Sequence, residues 1–120
     1  GSDDRYAFGD STSALVKYAW YGNAGYGART GQVAQKLPNA WGLYDMQGNV
    51  WEWVQDWFGD SYYANSPAKD PKGPEAGQFR VYRGGSWIAK ADNLRVAVRF
   101  SGLPSSRSRD LGFRLARQAE

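Results

Sequence analysis

The sequence has no cysteine and no histidine among its 120 residues. Without cysteine there can be no disulfide, thiolate nucleophile, zinc–thiolate site or iron–sulfur cluster. Without histidine there is no imidazole base and no two-histidine iron site. The two absences close most catalytic templates. Carboxylate pairs and oxygen-liganded hard cations remain open, and a hydrolase of the first kind would draw on Asp56 and Asp60, although acidic residues near turns are usually solvated. No apolar run is long enough for a membrane span or a signal peptide. Helix signals are also sparse. Gly1-Ser2 reads as a cloning remnant, so a targeting segment could have been removed and the compartment is not readable from the sequence.

What is present points to one domain, residues 3–120, large enough to bury roughly two-thirds of the surface its unfolded chain exposes. Hydrophobic residues make up 42%, an ordinary share for a globular protein. Six Trp, eight Tyr, five Phe and fifteen Gly suggest a fold held by aromatic packing across irregular loops. The net charge of +3 conceals an asymmetry: residues 1–79 carry 6 Lys/Arg against 9 Asp/Glu, residues 80–120 carry 9 against 3. A basic tail can bind nucleic acid. Its spacing reads as loops and strands, however, and Arg95, Arg99, Arg107 and Arg114 can equally brace loop carbonyls with their five donors each.

Along the chain, Asp10-Ser11-Thr12-Ser13 can cap a short turn running through Ala14–Ala19. Gly22, Gly25, Gly27 and Gly31 then break regular structure in a loop ending near Val33, and Leu37–Ala40 reads as a further turn. Strands are expected at Asn49–Val54, Phe79–Arg83 and Leu94–Phe100, with a short last one at Gly112–Leu115. Trp51 and Trp53 fall on one side of their strand, a pairing more typical of core than of a ligand platform. Asp60–Gln78, with three prolines and two glycines, is a long connection.

Trp41-Gly42-Leu43-Tyr44-Asp45-Met46-Gln47-Gly48-Asn49-Val50-Trp51-Glu52-Trp53, then Arg83-Gly84-Gly85-Ser86-Trp87, then Asp92-Asn93-Leu94-Arg95, Arg99 and Leu111-Gly112-Phe113-Arg114 form an ordered series of blocks. The series, covering roughly residues 6–117, resembles the C-terminal half of the formylglycine-generating-enzyme (sulfatase-modifying factor) domain. That resemblance implies an α+β, C-type-lectin-like fold with small twisted antiparallel sheets, little helix and much irregular loop. It also implies an N-terminal half that is missing here, so that a partner chain or a homo-oligomer could complete the fold at open sheet edges.

The resemblance further sets what to expect of chemistry. The copper-dependent oxidase of this family uses two cysteines after its Gly-Gly-Ser motif, and by position these fall on Ala89 and Leu94. Neither can bind copper, and the related iron sulfoxide synthases need histidines, so neither copper nor iron is expected. A non-catalytic module is the primary expectation, and an enzyme or enzyme fragment of the superfamily, an oxidoreductase with lost or different chemistry, is the alternative. Calcium remains: Asp45, Gly48, Val50 and Glu52 match the positions of a structural calcium site in the family. They offer the mix of carboxylates and carbonyls that calcium takes in a bent loop. The competing reading has Asp45 and Glu52 hydrogen-bonding the loop's own amides. The family's second calcium site needs an asparagine where Trp20 stands.

The sequence also resembles the variable proteins of diversity-generating retroelements, which share this fold and vary a surface between Gly-Gly-Ser-Trp and Gly-Phe-Arg. Their mutable codons end in C and cannot encode Lys, Glu, Gln, Met or Trp; between Ile88 and Asp110 only Lys90 belongs to that set. The resemblance implies a ligand-binding face of Ile88, Ala89, Lys90, Asp92, Val98, Phe100, Ser101, Gly102, Leu103, Ser106, Ser108, Arg109 and Asp110. Leu94-Arg95-Val96-Ala97, Arg99, Pro104 and Arg107 would be its supporting lattice, with Trp87 and Phe113 as buried frame. Apolar anchors among Ser, Gly and Arg suit an adaptable paratope; the alternative is that Ile88, Phe100 and Leu103 plug the core. The expected partner is a protein or a glycan, with nucleic acid disfavoured.

Overall fold

The computed structural model describes residues 3–22, 29–68 and 72–119. Gly25 and Gly27 of the expected glycine-rich loop lie outside these residues, as do Gly1-Ser2 and part of the long connection. Helix is confined, among the described residues, to three 3-10 turns at Thr12–Lys17, Tyr62–Asn65 and Ala91–Leu94. The first replaces the turn expected over Ala14–Ala19. Ser11 precedes it but supplies no side-chain cap, because its hydroxyl pairs with that of Ser13 at 2.9 Å.

The strands are β1 (Trp51–Trp57), β2 (Arg80–Arg83), β3 (Arg99–Gly102) and β4 (Leu111–Gly112). They form one sheet in the order β3-β2-β1-β4. The sheet is mixed: β1/β2 and β2/β3 are antiparallel, whereas β4 lies parallel to β1, with Trp51 beside Leu111. Purely antiparallel pairing was the expectation. The register between β1 and β2 slips between Trp53 and Trp57, the kind of irregularity that bends a strand and re-aims its side chains.

Strand alternation sorts the sheet into two faces. Val81 is fully buried on one. On the other, Tyr82 meets Trp51 and Trp53 edge-on at centroid distances of 5.4 and 5.5 Å, so the two tryptophans do share a side. The separate N-terminal core holds Tyr6, Leu15, Ala19 and Leu94, with Phe8, Tyr21, Ala89 and Ala91 packed on it. Phe8 stacks on Tyr18 at 4.1 Å, extending that core to the surface.

The third strand starts later than expected. Leu94 closes a 3-10 turn and is fully buried, and pairing begins only at Arg99. The apolar alternation from Leu94 to Phe100 therefore mixes one core plug with one real strand. The last strand likewise stops at Gly112.

Candidate functional site

The motif blocks converge on one another. Gly48 donates its N–H to Gly84 O at 2.7 Å, Asn49 donates to Trp20 O at 2.9 Å, and Trp87 donates to Asn49 O at 2.8 Å. The Asn49 side chain pairs with both backbone groups of Gly31, at 3.0 and 3.2 Å. Gln47 accepts from Ala7 N at 3.1 Å and donates to Leu94 O. Buried amides with every group satisfied pin chain segments in a fixed relation. Two glycines make the approach possible. Gly48 has φ +83° and a Cβ there would stand 2.4 Å from Trp20 O; Gly85 has φ +76° and a Cβ would stand 2.6 Å from Leu94 Cδ1. Gln47 and Asn49 were not singled out by sequence reasoning, although an asparagine directly after a glycine, here at φ 66°, is the signal of a left-handed turn.

Ala89 and Leu94, the positions on which the resemblance places the family's cysteines, sit in packing. Leu94 belongs to the buried core beneath Gly85, and Ala89 packs against that core while its carbonyl accepts Gly22 N at 2.9 Å. Trp20, where the resemblance would look for the second calcium asparagine, is a structural pin: Asn49 N bonds its carbonyl, and Lys36 Nζ lies 4.3 Å from its ring centroid. Asp56 is paired with Arg99 at 3.4 Å.

In the 45–52 loop the four calcium-pattern residues have unequal surroundings. Asp45 is buried at φ 55°; its Oδ2 accepts Ala34 N at 2.8 Å, while its Oδ1 is buried without a hydrogen-bond partner. Both oxygens of Glu52 take Arg114, at 2.7 Å each. Arg114 also donates to the carbonyls of Tyr44 and Asp45. Its guanidinium pKa is raised by the Glu52 hydrogen bond and by the charges of Glu52 and Asp45, against the opposing effect of burial. It is therefore charged at any working pH. Among the described residues no group of three or more acidic side chains gathers, so a cation here would depend on carbonyls. The orphaned Asp45 Oδ1 fits such a group, because an unpaired buried carboxylate oxygen is costly and a hard cation would satisfy it.

The expected binding face reaches from edge strand β3 to the loop that enters β4 at the opposite edge of the sheet. Ile88 and Ala89 lie in the turn after Trp87, Lys90 and Asp92 flank and enter the 3-10 turn at Ala91–Leu94, and Phe100, Ser101 and Gly102 form edge strand β3. Leu103, Ser106, Ser108 and Arg109 occupy the loop to β4. Lys90, Asp92, Phe100, Leu103, Ser106, Ser108 and Arg109 are exposed; Ile88, Ala89, Val98, Ser101, Gly102 and Asp110 are half-buried. Phe100, 42% exposed, rests on Trp51 at 5.1 Å and on Tyr82 at 6.2 Å. Arg109 lies over the Trp87 ring at 5.3 Å. Asp110 turns inward, where its carboxylate accepts Ser86 Oγ at 3.2 Å and Ser108 Oγ.

The frame beneath is smaller than expected. Trp87 is 5% exposed, Leu94 is fully buried, and the Arg99 side chain is 11% exposed in its pair with Asp56. Arg95, Val96, Ala97, Pro104 and Arg107 are exposed, and Phe113 is 72% exposed. Phe113 follows β4 immediately, where pairing has ended, so nothing covers its ring in the way the frame assignment required. The expectation that arginines brace carbonyls holds for Arg95, which donates to Asp92 O at 2.8 Å, and for Arg114.

A family model described as the sulfatase-modifying factor enzyme 1-like domain matches residues 1–119. The formylglycine-generating enzyme of Streptomyces coelicolor is 48% identical over 94 residues, covering 76% of this chain and 30% of that protein. The mouse protein named inactive C-alpha-formylglycine-generating enzyme 2 is 40% identical over 86 residues, covering 68% of this chain and 23% of its own. Among solved structures, Treponema denticola variable protein 1 superposes with a TM-score of 0.82 at 43% identity, over 94% of this chain and 40% of that one. The chain thus spans less than a third of the length of these two curated relatives. The small mixed sheet, scant helix and long irregular loops are the C-type-lectin-like architecture of this group.

Proposed function

The chain belongs to the sulfatase-modifying factor family, and from that premise we propose that it is a non-catalytic binding module whose ligand meets the face between Trp87 and Leu111. The observation that carries this reading is the pair Ala89 and Leu94. The positions that would bear the family's cysteines hold an alanine packed against the core and a fully buried leucine. Thiolate chemistry needs a thiol that is accessible and ionisable, and the sequence contains none. The face itself supports the reading: Phe100 and Leu103 are exposed apolar side chains among serines and arginines, the mixture expected of an adaptable recognition surface. The likeness to a variable protein supports a diversified surface of the kind retroelements rewrite.

The second reading, an oxidoreductase fragment with altered chemistry, draws on the 48% identity to a formylglycine-generating enzyme. A mass-spectrometric assay separates the two. Incubated with a sulfatase-type cysteine peptide and copper, the protein leaves the peptide unchanged; formylglycine above a no-protein control would establish the enzyme reading instead.

The same module would hold a structural calcium ion in the 45–52 loop. Asp45 contributes its unpartnered Oδ1, and Gly48 and Val50 contribute carbonyls. Glu52 contributes lone pairs beyond those engaged by Arg114, since a carboxylate has about four acceptor sites. The ion would supply charge neutralisation and loop rigidity, with no chemical step.

A further inference from the structure

From Asn93 to Arg109 the chain carries four arginines and no acidic residue. Arg99 is turned inward onto Asp56, and its charge is compensated. Arg107 and Arg109 are exposed in the loop between β3 and β4. Arg109 is placed beside the buried part of the sheet: its guanidinium lies over Trp87, and the next residue's carbonyl accepts Trp51 N at 2.7 Å. Trp51 is the ring on which Phe100 rests. Cation and apolar anchor are thereby mounted on two buried tryptophans, Arg109 on Trp87 and Phe100 on Trp51, and Asp110, next to Arg109 in the chain, is occupied by Ser86 and Ser108.

Resting on the binding reading above, we infer that the partner is an acidic polypeptide. It lays an apolar side chain against Phe100 and Leu103 and sets carboxylates opposite Arg107 and Arg109. Charge complementarity selects the sign of the partner, because like charges across an interface cost several kcal/mol while opposite ones speed encounter and fix register. The arginine fork suits carboxylates bidentately. A nucleic acid is the poorer fit: its affinity comes chiefly from many phosphate contacts, and here Arg107 and Arg109 stand in a loop that also exposes the hydrophobic Leu103.

The test is selection of short peptides from a random display library against the intact protein, followed by binding titrations of the enriched peptides. The expected peptides are more acidic than the starting library and carry an aromatic or aliphatic residue. They bind at least about tenfold more weakly to the Arg107→Glu/Arg109→Glu double variant and to Phe100→Ser, and less tightly at high salt. Replacing their Asp and Glu by Lys restores binding to the double variant. Peptides that need Phe100 but show no acidic bias would overturn this inference and leave the binding face standing. Peptides indifferent to Phe100→Ser and Leu103→Asp, or no enrichment at all, would sink both. Tighter binding of oligo-dT through the same arginines would replace the polypeptide with a nucleic acid. Thermal melts establish that each variant is folded before it is scored.

Discussion

Arg114 grips Glu52 across 62 residues of sequence, placing Nε and Nη2 each 2.7 Å from a carboxylate oxygen. Its other bonds reach the carbonyls of Tyr44 at 2.9 Å and Asp45 at 2.8 Å. One guanidinium therefore joins the chain after β4 to the start of β1 and to the loop before it. Bidentate, charge-assisted geometry is what distinguishes this pair from an ordinary surface bridge.

Arg114→Lys keeps the charge and loses the fork, so it should lose most of what Arg114→Ala loses. Hydrogen bonds to charged groups contribute about 1.5–3 kcal/mol each at most, and partial exposure of the pair lowers that, so roughly 1–3 kcal/mol is expected for Arg114→Ala. Urea unfolding midpoints of the two variants and the parent measure the difference. A lysine variant as stable as the parent would reduce the contact to simple charge attraction.

Phe113 and Trp87 should part company. Truncating buried Trp87 to Ala is expected to cost roughly 3–5 kcal/mol. Phe113→Ala, at a ring 72% exposed, should stay within about 1 kcal/mol of the parent, near the range of surface substitutions. Thermal melts of both decide it, and a collapse of Phe113→Ala would mean that its ring is covered in solution.

Gly85→Ala should be among the most damaging single-atom additions in the protein. It forces a side chain into φ +76° and drives a methyl group into Leu94. Left-handed backbone costs a non-glycine residue roughly 1–2 kcal/mol, and overpacking typically adds about 1–3 more. The double change Gly85→Ala/Leu94→Ala should lose less than the sum of the single ones, a coupling that a double-mutant cycle reads directly.

Chelation tests the 45–52 loop. If calcium is bound only by the folded state, its removal lowers the melting temperature and its return restores it. Asp45→Ala should abolish that response, while Asp92→Ala, on the exposed face, should preserve it. A melting curve indifferent to chelator, with no metal by elemental analysis, would leave Asp45 held by Ala34 N alone.

The sequence made β1 and β2 readable because their β-formers alternate within single, continuous strands: Asn49–Val54 and Phe79–Arg83 overlap the observed Trp51–Trp57 and Arg80–Arg83. It misled at Leu94–Phe100, where Leu94, Val96, Val98 and Phe100 keep the same alternation but Leu94 is drawn into the core under Gly85. Period alone cannot separate a strand residue from a plug in the turn before it. Phe113 was misplaced for a related reason, since an aromatic beside a glycine in a strand-like run says nothing about whether another strand lies over it. The placing of the family's cysteines on Ala89 and Leu94 rests on motif spacing alone. The Glu52–Arg114 fork was not legible, since no local pattern links residues so far apart. Nor was the inward turn of Asp110, which depends on Ser86 lying beneath it.

A binding module of this kind needs a tolerant face carried by an intolerant frame, and a substitution library over residues 88–110, displayed and challenged with protease, measures that contrast in one experiment. Resistance to cleavage reports the folded fraction. The account predicts that Lys90, Asp92, Phe100, Leu103, Ser106, Ser108 and Arg109 accept most residue types. Leu94 should accept only aliphatics of similar volume, as a close-packed, fully buried site demands. If Phe100, Leu103 and Arg109 prove as restricted as Leu94, the supposed face is part of the core and the binding reading fails.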